Sequence, residues 1–118
     1  MIPLRDIAYA RSGDKGSSAN VAIFGRTAAD YHWLRVHLTA ALVEAYFKPL
    51  GVGTVLRYDV PNLEALNFVL PGVLAGGGSR SLRIDAQGKT LGMALLELPV
   101  DAPTGPGASG PVESMKPA

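Results

Sequence analysis

The sequence predicts an α+β domain, a two-layer sandwich in which one mostly antiparallel sheet carries its helices on one face. Three observations point there. Short apolar runs rich in β-branched residues, such as "VAIF" and "TVLRYDV", read as strands. Between them lie stretches with apolar residues at helical spacing, opened by Thr, Asp or Asn, whose side chains cap free backbone N–H groups. Finally, 118 residues suffice for one small domain and not for two.

The elements follow in order. Leu4–Ala10 reads as a first short strand, and Val21–Phe24, closed by Gly25, as a second. The polar segment "RSGDKGSSAN", residues 11–20, reads as a long loop between them. Thr27 or Asp30 caps a helix through "DYHWLRVHL", and Thr39 caps "AALVEAYFKPLG", giving two short helices or one bent one. Pro49 stops that run, and Gly51 and Gly53 turn the chain. Residues 54–60 alternate as a strand, ended by Pro61. Asn62 is placed to cap a further helix, "LEALNFVLPGVL", whose stripe of Leu63, Leu66, Phe68 or Val69, and Leu70 predicts deep burial. A hairpin completes the fold: strands at Ser81–Ile84 and Thr90–Leu98 around an Asp85–Lys89 turn, with Gly92 marking a bulge or a close backbone approach. The order β–β–α–β–α–β–β over residues 1–100 describes a ferredoxin-like sandwich. From Asp101 onward, Pro, Gly, Ala and Ser dominate, and residues 101–118 are expected to form a disordered tail.

Bulk composition narrows the partners. A net charge of +1 gives no electrostatic footprint for nucleic acid or an anionic membrane. Charges at Arg5 and Asp6 exclude the N-terminus as a signal peptide or span. The absence of cysteine removes disulfides, thiolate nucleophiles and thiolate metal sites, and fits a cytoplasmic protein. His32 and His37 are five apart, off the i, i+4 spacing of helical metal ligands, so no metal site is expected. A domain this small buries only about 60–65% of its unfolded surface, which favours a homo- or hetero-oligomer.

Two glycine-rich segments carry the candidate chemistry. In the first, Gly13 and Gly16 let successive backbone N–H groups turn inward as an anion nest, with Asp14, Lys15 and Ser17 beside them. It lacks the Gly-Lys-Ser/Thr order of a P-loop, and a solvated turn is the plain alternative. In the second, Gly76, Gly77 and Gly78 precede Ser79 and Arg80, a set able to present amides, a hydroxyl and a guanidinium to a carboxylate or phosphate. The same glycines equally suit a helix C-terminal linker. Asn67 sits in an apolar stripe, so its amide either bonds neighbouring backbone or faces a ligand, with Glu64 three residues earlier. Trp33, Tyr46 and Phe47 read as core.

Taken together, "ARSGDKGSSANVAIFGR", "LTAALVEAYF" and "VLRYDVPNLEALNFVLPGVLAGGGSRSLRIDAQGKTLGMALLEL" resemble the small domain of the acyclic terpene utilisation (AtuA-like) family, over about residues 3 to 98. In that family the unit occurs at the C-terminal end of longer proteins and as a short separate polypeptide. The resemblance implies a ferredoxin-like fold. It also implies a link to bacterial catabolism of terpenoid or acyl-CoA-linked compounds, through an AtuA-like large subunit. It supplies no catalytic residue and no cofactor. The expected role is an accessory subunit whose Gly13–Ser17 and Gly76–Arg80 loops contact a CoA thioester or carboxylate at a shared site. Two other roles stay open. One is a stand-alone homo-oligomeric lyase, hydratase or isomerase on a small acyl substrate, with Asp14, Lys15, Asn67 and Arg80 in one pocket. The other is a non-catalytic anion-binding module.

Overall fold

The computed structural model describes residues 1–15, 18–72 and 90–101. Four strands form one antiparallel sheet in the order β2-β3-β5-β4: β2 (Ala8–Lys15), β3 (Ser18–Gly25), β4 (Leu56–Val60) and β5 (Ala65–Leu70). A second, two-stranded ladder pairs β1 (Ile2–Pro3) with β6 (Pro99–Val100) and ties the two ends of the described chain together. Among the described residues, three α-helices, α1 (Ala28–His37), α2 (Ala40–Phe47) and α3 (Leu91–Leu95), lie with the sheet in an α+β two-layer arrangement.

Period-2 alternation decides which side of the sheet faces the helices. On β3, Ala19, Val21, Ile23 and Gly25 are buried, and on β5, Leu66, Phe68 and Leu70. These join Leu34 of α1, Leu38 just after it, Val43 and Phe47 of α2, and Leu95 of α3 in one core. Phe47 is buried as expected, whereas Trp33 and Tyr46 are partly buried against that core.

Both helix caps in the first half form as the residue types dictate. Thr27 Oγ1 accepts from the Asp30 amide at 3.0 Å, and Thr39 Oγ1 from the Leu42 amide at 3.1 Å. Thr39 is extended, so the chain makes two helices rather than one bent one. Gly51 takes the left-handed conformation, φ 80°, that turns the chain after Pro49.

Three expected elements take a different form. Leu4–Asp6 is a 3-10 turn, and the first long strand starts only at Ala8. The stretch after Pro61 is not a helix. Pro61–Leu63 is a 3-10 turn, Glu64 adopts φ 52°, and β5 follows at once. The reason is that Leu66, Phe68 and Leu70 fit a period of two as well as a helical stripe, and the tight reversal at Glu64 aligns that alternation with β3 and β4. Thr90–Leu98 is likewise not a strand. Thr90 Oγ1 caps α3 through the Met93 amide at 3.1 Å, and Leu, Met and Ala lack the β-branching that favours strands. Gly92 nonetheless marks a close approach: its amide donates to Ser12 Oγ at 2.7 Å, and an added Cβ would sit 2.5 Å from that oxygen. The expected strand Ser81–Ile84, the Asp85–Lys89 turn and the tail beyond Asp101 lie outside the described residues.

Tyr46 links α2 to α3, its hydroxyl donating to the Ala94 carbonyl at 2.7 Å. Burial and the nearby Glu97 carboxylate raise its pKa above the ordinary 10.0. The folded state therefore holds this proton more tightly than the unfolded chain. The resulting stability is complete below pH 10 and is lost as pH rises through the folded pKa. Denaturation at pH 9 and pH 11 should show a loss in the parent protein that Tyr46→Phe does not share.

Candidate functional site

The segment 11–20 is not a loop. Arg11 pairs with Ala22, Ser12 with Val21, Gly13 with Asn20, Asp14 with Ala19 and Lys15 with Ser18, so the hairpin is laddered almost to its tip. Only Gly16 and Ser17 separate the last pair, and both lie outside the described residues. Gly13 is extended rather than left-handed, so it forms no part of an anion nest. Its lack of a side chain has another use. A Cβ there would lie 2.7 Å from Asn20 Oδ1, because the Asn20 amide folds across β2 at this point.

That amide donates from Nδ2 to Asn67 Oδ1 at 3.2 Å. Asn67 thus lies on the central strand β5, not on a helix, and its nearest polar partner is Asn20 rather than Glu64. Glu64 sits in the β4–β5 turn, where its carbonyl accepts from the Gly25 amide at 3.1 Å. Asp14 follows the parity of Ser12, which bonds α3, and so belongs to the helix side of β2, opposite Gly13 and Asn67. Asp14 and Asn67 therefore do not share a pocket. Lys15 holds the last register position of β2. Gly76, Gly77, Gly78, Ser79 and Arg80 lie outside the described residues.

The Asn20–Asn67 pair stands at the middle of the sheet face turned away from the helices. In register, one row across that face runs Tyr9, Phe24, Ala65, Val60; the next runs Arg11, Ala22, Asn67, Tyr58; a third runs Gly13, Asn20, Val69, Leu56. Tyr9 and Phe24 stack at 5.1 Å between ring centroids, 6° from parallel. Tyr9, Leu56 and Tyr58 are 49%, 46% and 54% exposed, and Asn20 and Asn67 are half-buried.

β4 is polarised the wrong way round for an ordinary two-layer domain. Its charged residues, Arg57 and Asp59, point to the helix side. Arg57 Nη1 donates to the Arg35 carbonyl at 2.9 Å and the Leu38 carbonyl at 3.0 Å, satisfying the end of α1, and Arg57 Nε pairs with Asp59 Oδ1 at 3.0 Å. Leu56, Tyr58 and Val60 are left on the outer face. The signal was present in "LRYDV": its alternation is clear, but only the position of α1 tells which parity is inward. Asn20, Arg11, Tyr9 and Tyr58 went unmarked for the same reason.

The defining sequence pattern of the AtuA ferredoxin-like domain matches residues 2–101. The chain belongs to that family. The match takes in every element described above, and the α+β architecture of this AtuA ferredoxin-like domain accords with the family's description. Neither a curated protein nor a solved structure matches the chain. Among the described residues, no helix is long and apolar enough to cross a membrane, and no group of three or more His, Asp and Glu gathers as a metal site.

One consequence for this domain can be measured directly. Gly13→Ala pushes against the free end of a side chain, so Asn20 swings away and its bond to Asn67 breaks. The expected loss is about 1 kcal/mol, the usual net worth of such a bond. In an Asn20→Ala background the same substitution should cost almost nothing, and a double-mutant cycle by urea denaturation reads the difference.

Proposed function

We propose that this chain is a small accessory subunit of a cytoplasmic assembly. It pairs with a separately encoded AtuA-like large subunit in the bacterial breakdown of acyl-CoA or terpenoid-type compounds. The observation that carries this reading is the outer face of the sheet. Tyr9, Phe24, Leu56, Tyr58, Val60 and Val69 hold outward positions there, with Tyr9, Leu56 and Tyr58 about half exposed and the other three partly buried. A contiguous apolar patch of this kind marks a surface made to be covered. Family membership supports the identity of the partner.

Within the assembly, Lys15 at the last register position of β2, followed in sequence by Gly16 and Ser17, is the element offered to an anionic ligand such as a CoA thioester or carboxylate. The Gly77–Arg80 segment is a second donor set for the same ligand. The opposed placement of Asp14 and Asn67 gives no support to a stand-alone enzyme that would use both in one pocket.

Co-expression with the AtuA-like large-domain protein of the same genome, followed by size-exclusion chromatography with light scattering, tests the pairing. A single peak whose mass equals both chains is the expected result. Separate elution at micromolar concentration rejects it. Thermal melts of the complex with CoA thioesters then test the ligand, and Lys15→Ala should reduce any shift they produce.

A further inference from the structure

We infer that the outer face of the β2-β3-β5-β4 sheet is the docking surface of this protein. Its occupant is a partner protein presenting an apolar patch with a carboxylate set against Arg11, not a second copy of this chain. The inference rests on the pairing proposed above and adds to it the surface used and the chemistry of what covers it.

β4 turns its apolar residues to the outer face. A strand with one solvated face normally turns its charges outward and its apolar residues to the core. Here Arg57 and Asp59 face the helices and are consumed by α1 and by each other. Leu56 and Tyr58 stand in solvent at about half exposure. Placing the apolar parity outward makes sense only with a second layer on that side.

Charge on the outer face disfavours a second copy as occupant. Arg11 holds a charged outward register position of the sheet, and among the described residues no Asp or Glu holds one. A second copy would bring the same cation and no acid to balance it. Covering Arg11 without a counter-charge leaves a desolvated guanidinium, which is costly. A partner with a carboxylate at that point removes the cost and fixes the register of docking.

The polar centre of the face adds a further requirement on what covers it. Asn20 uses one amide N–H and Asn67 its carbonyl in their mutual bond, leaving further donors and an acceptor on the same face. Once covered, these need hydrogen-bonding groups on the partner, because a buried unpaired amide is penalised. Four strands at about 4.8 Å spacing give a platform roughly 15–20 Å across. That is the size of the apolar centre of a standard interface, around which a larger partner supplies the rim.

The test uses the full chain and the AtuA-like large-domain protein of the same genome as the named probe, with Kd measured by calorimetry. Tyr58→Glu and Arg11→Glu should each weaken binding at least tenfold. The Arg11→Glu complex should also lose part of the salt dependence of the parent. Val36→Glu, on the exposed side of α1 (66% exposed), should leave Kd unchanged. Thermal melts of each variant check that it folds, and Arg11→Glu, at an exposed position, serves if Tyr58→Glu does not. Tight binding by the parent with no change in either face variant leaves the pairing intact and overturns this docking surface. No binding by the parent rejects the pairing itself. Light scattering of the chain alone then decides the occupant: a dimer dissociated by Tyr58→Glu makes the face a self-interface and overturns the partner named here.

Discussion

Phe68→Ala is expected to remove about 3–5 kcal/mol of stability, the usual range for emptying a fully buried aromatic site. Phe68 is completely buried and sits mid-way along β5, in register between Val21 and Arg57. Its ring fills the space between the sheet and the helix layer. Total stability of a domain this size is about 5–15 kcal/mol, so the loss is a large share of what holds the domain folded. Val69→Ala, one position along, faces the other way and should cost under about 1 kcal/mol. Urea denaturation of the pair checks more than a magnitude. A helix through this stretch would bury both residues to similar degrees, whereas a strand separates them completely, so equal losses would contradict the placement of β5.

That stretch also shows where sequence reasoning reaches its limit. In "EALNFVL", apolar residues satisfy a helical stripe and a two-residue alternation at once. What separates them is non-local: the reversal at Glu64, and the edges offered by β3 and β4. The α3 segment differs from its sequence expectation for the complementary reason. Thr90 stands at the start of the expected strand, but its spacing to Met93 is that of an N-cap, and the chain there has few β-branched residues. The caps at Thr27 and Thr39, and the close approach at Gly92, were legible because each depends on one residue and its immediate neighbours. The layered α+β class was legible too, since it tolerates an exchange of one helix for one strand.

The site divides along the same line. Gly13 and Asn67 each carry a geometric constraint that differs from the one their sequence context suggests. Composition suggested a flexible anion loop, whereas Gly13 is a paired strand residue that makes room for the Asn20 amide. For Asn67 the sequence offers neighbouring backbone or a ligand as partner, whereas the structure pairs it with the Asn20 side chain, on a strand distant in sequence. The outer apolar face could not be seen before the helices were placed. Whether Leu56, Tyr58 and Val60 or Arg57 and Asp59 look inward is a single binary choice, and α1 makes it through the carbonyls of Arg35 and Leu38.

Gly25→Ala carries the other large effect, and it reaches from core packing to the outer face. A Cβ on Gly25 would meet Tyr31 N at 2.6 Å and Tyr31 Cα and Cβ at 2.8 Å. These are atoms of the first turns of α1, already fixed by the bond from the Tyr31 amide to the Thr27 carbonyl at 3.0 Å. They cannot rotate aside as Asn20 does beside Gly13. The φ of Gly25 is not positive, so the penalty is steric and not conformational. Forcing a methyl into packed backbone costs typically 1–3 kcal/mol and here belongs at the upper end or above. Gly25→Ser should behave alike. The displacement of α1 has a second result, because Arg57 holds the carbonyls of Arg35 and Leu38 and its strand presents Tyr58 to the outside. Partner affinity should therefore fall in Gly25→Ala even where the protein remains folded, while Gly13→Ala should alter stability by about 1 kcal/mol or less. Urea denaturation, with Kd measured on the folded fraction, separates the two glycines, and a Gly25→Ala loss no greater than that of Gly13→Ala would remove the close helix–sheet contact from the account.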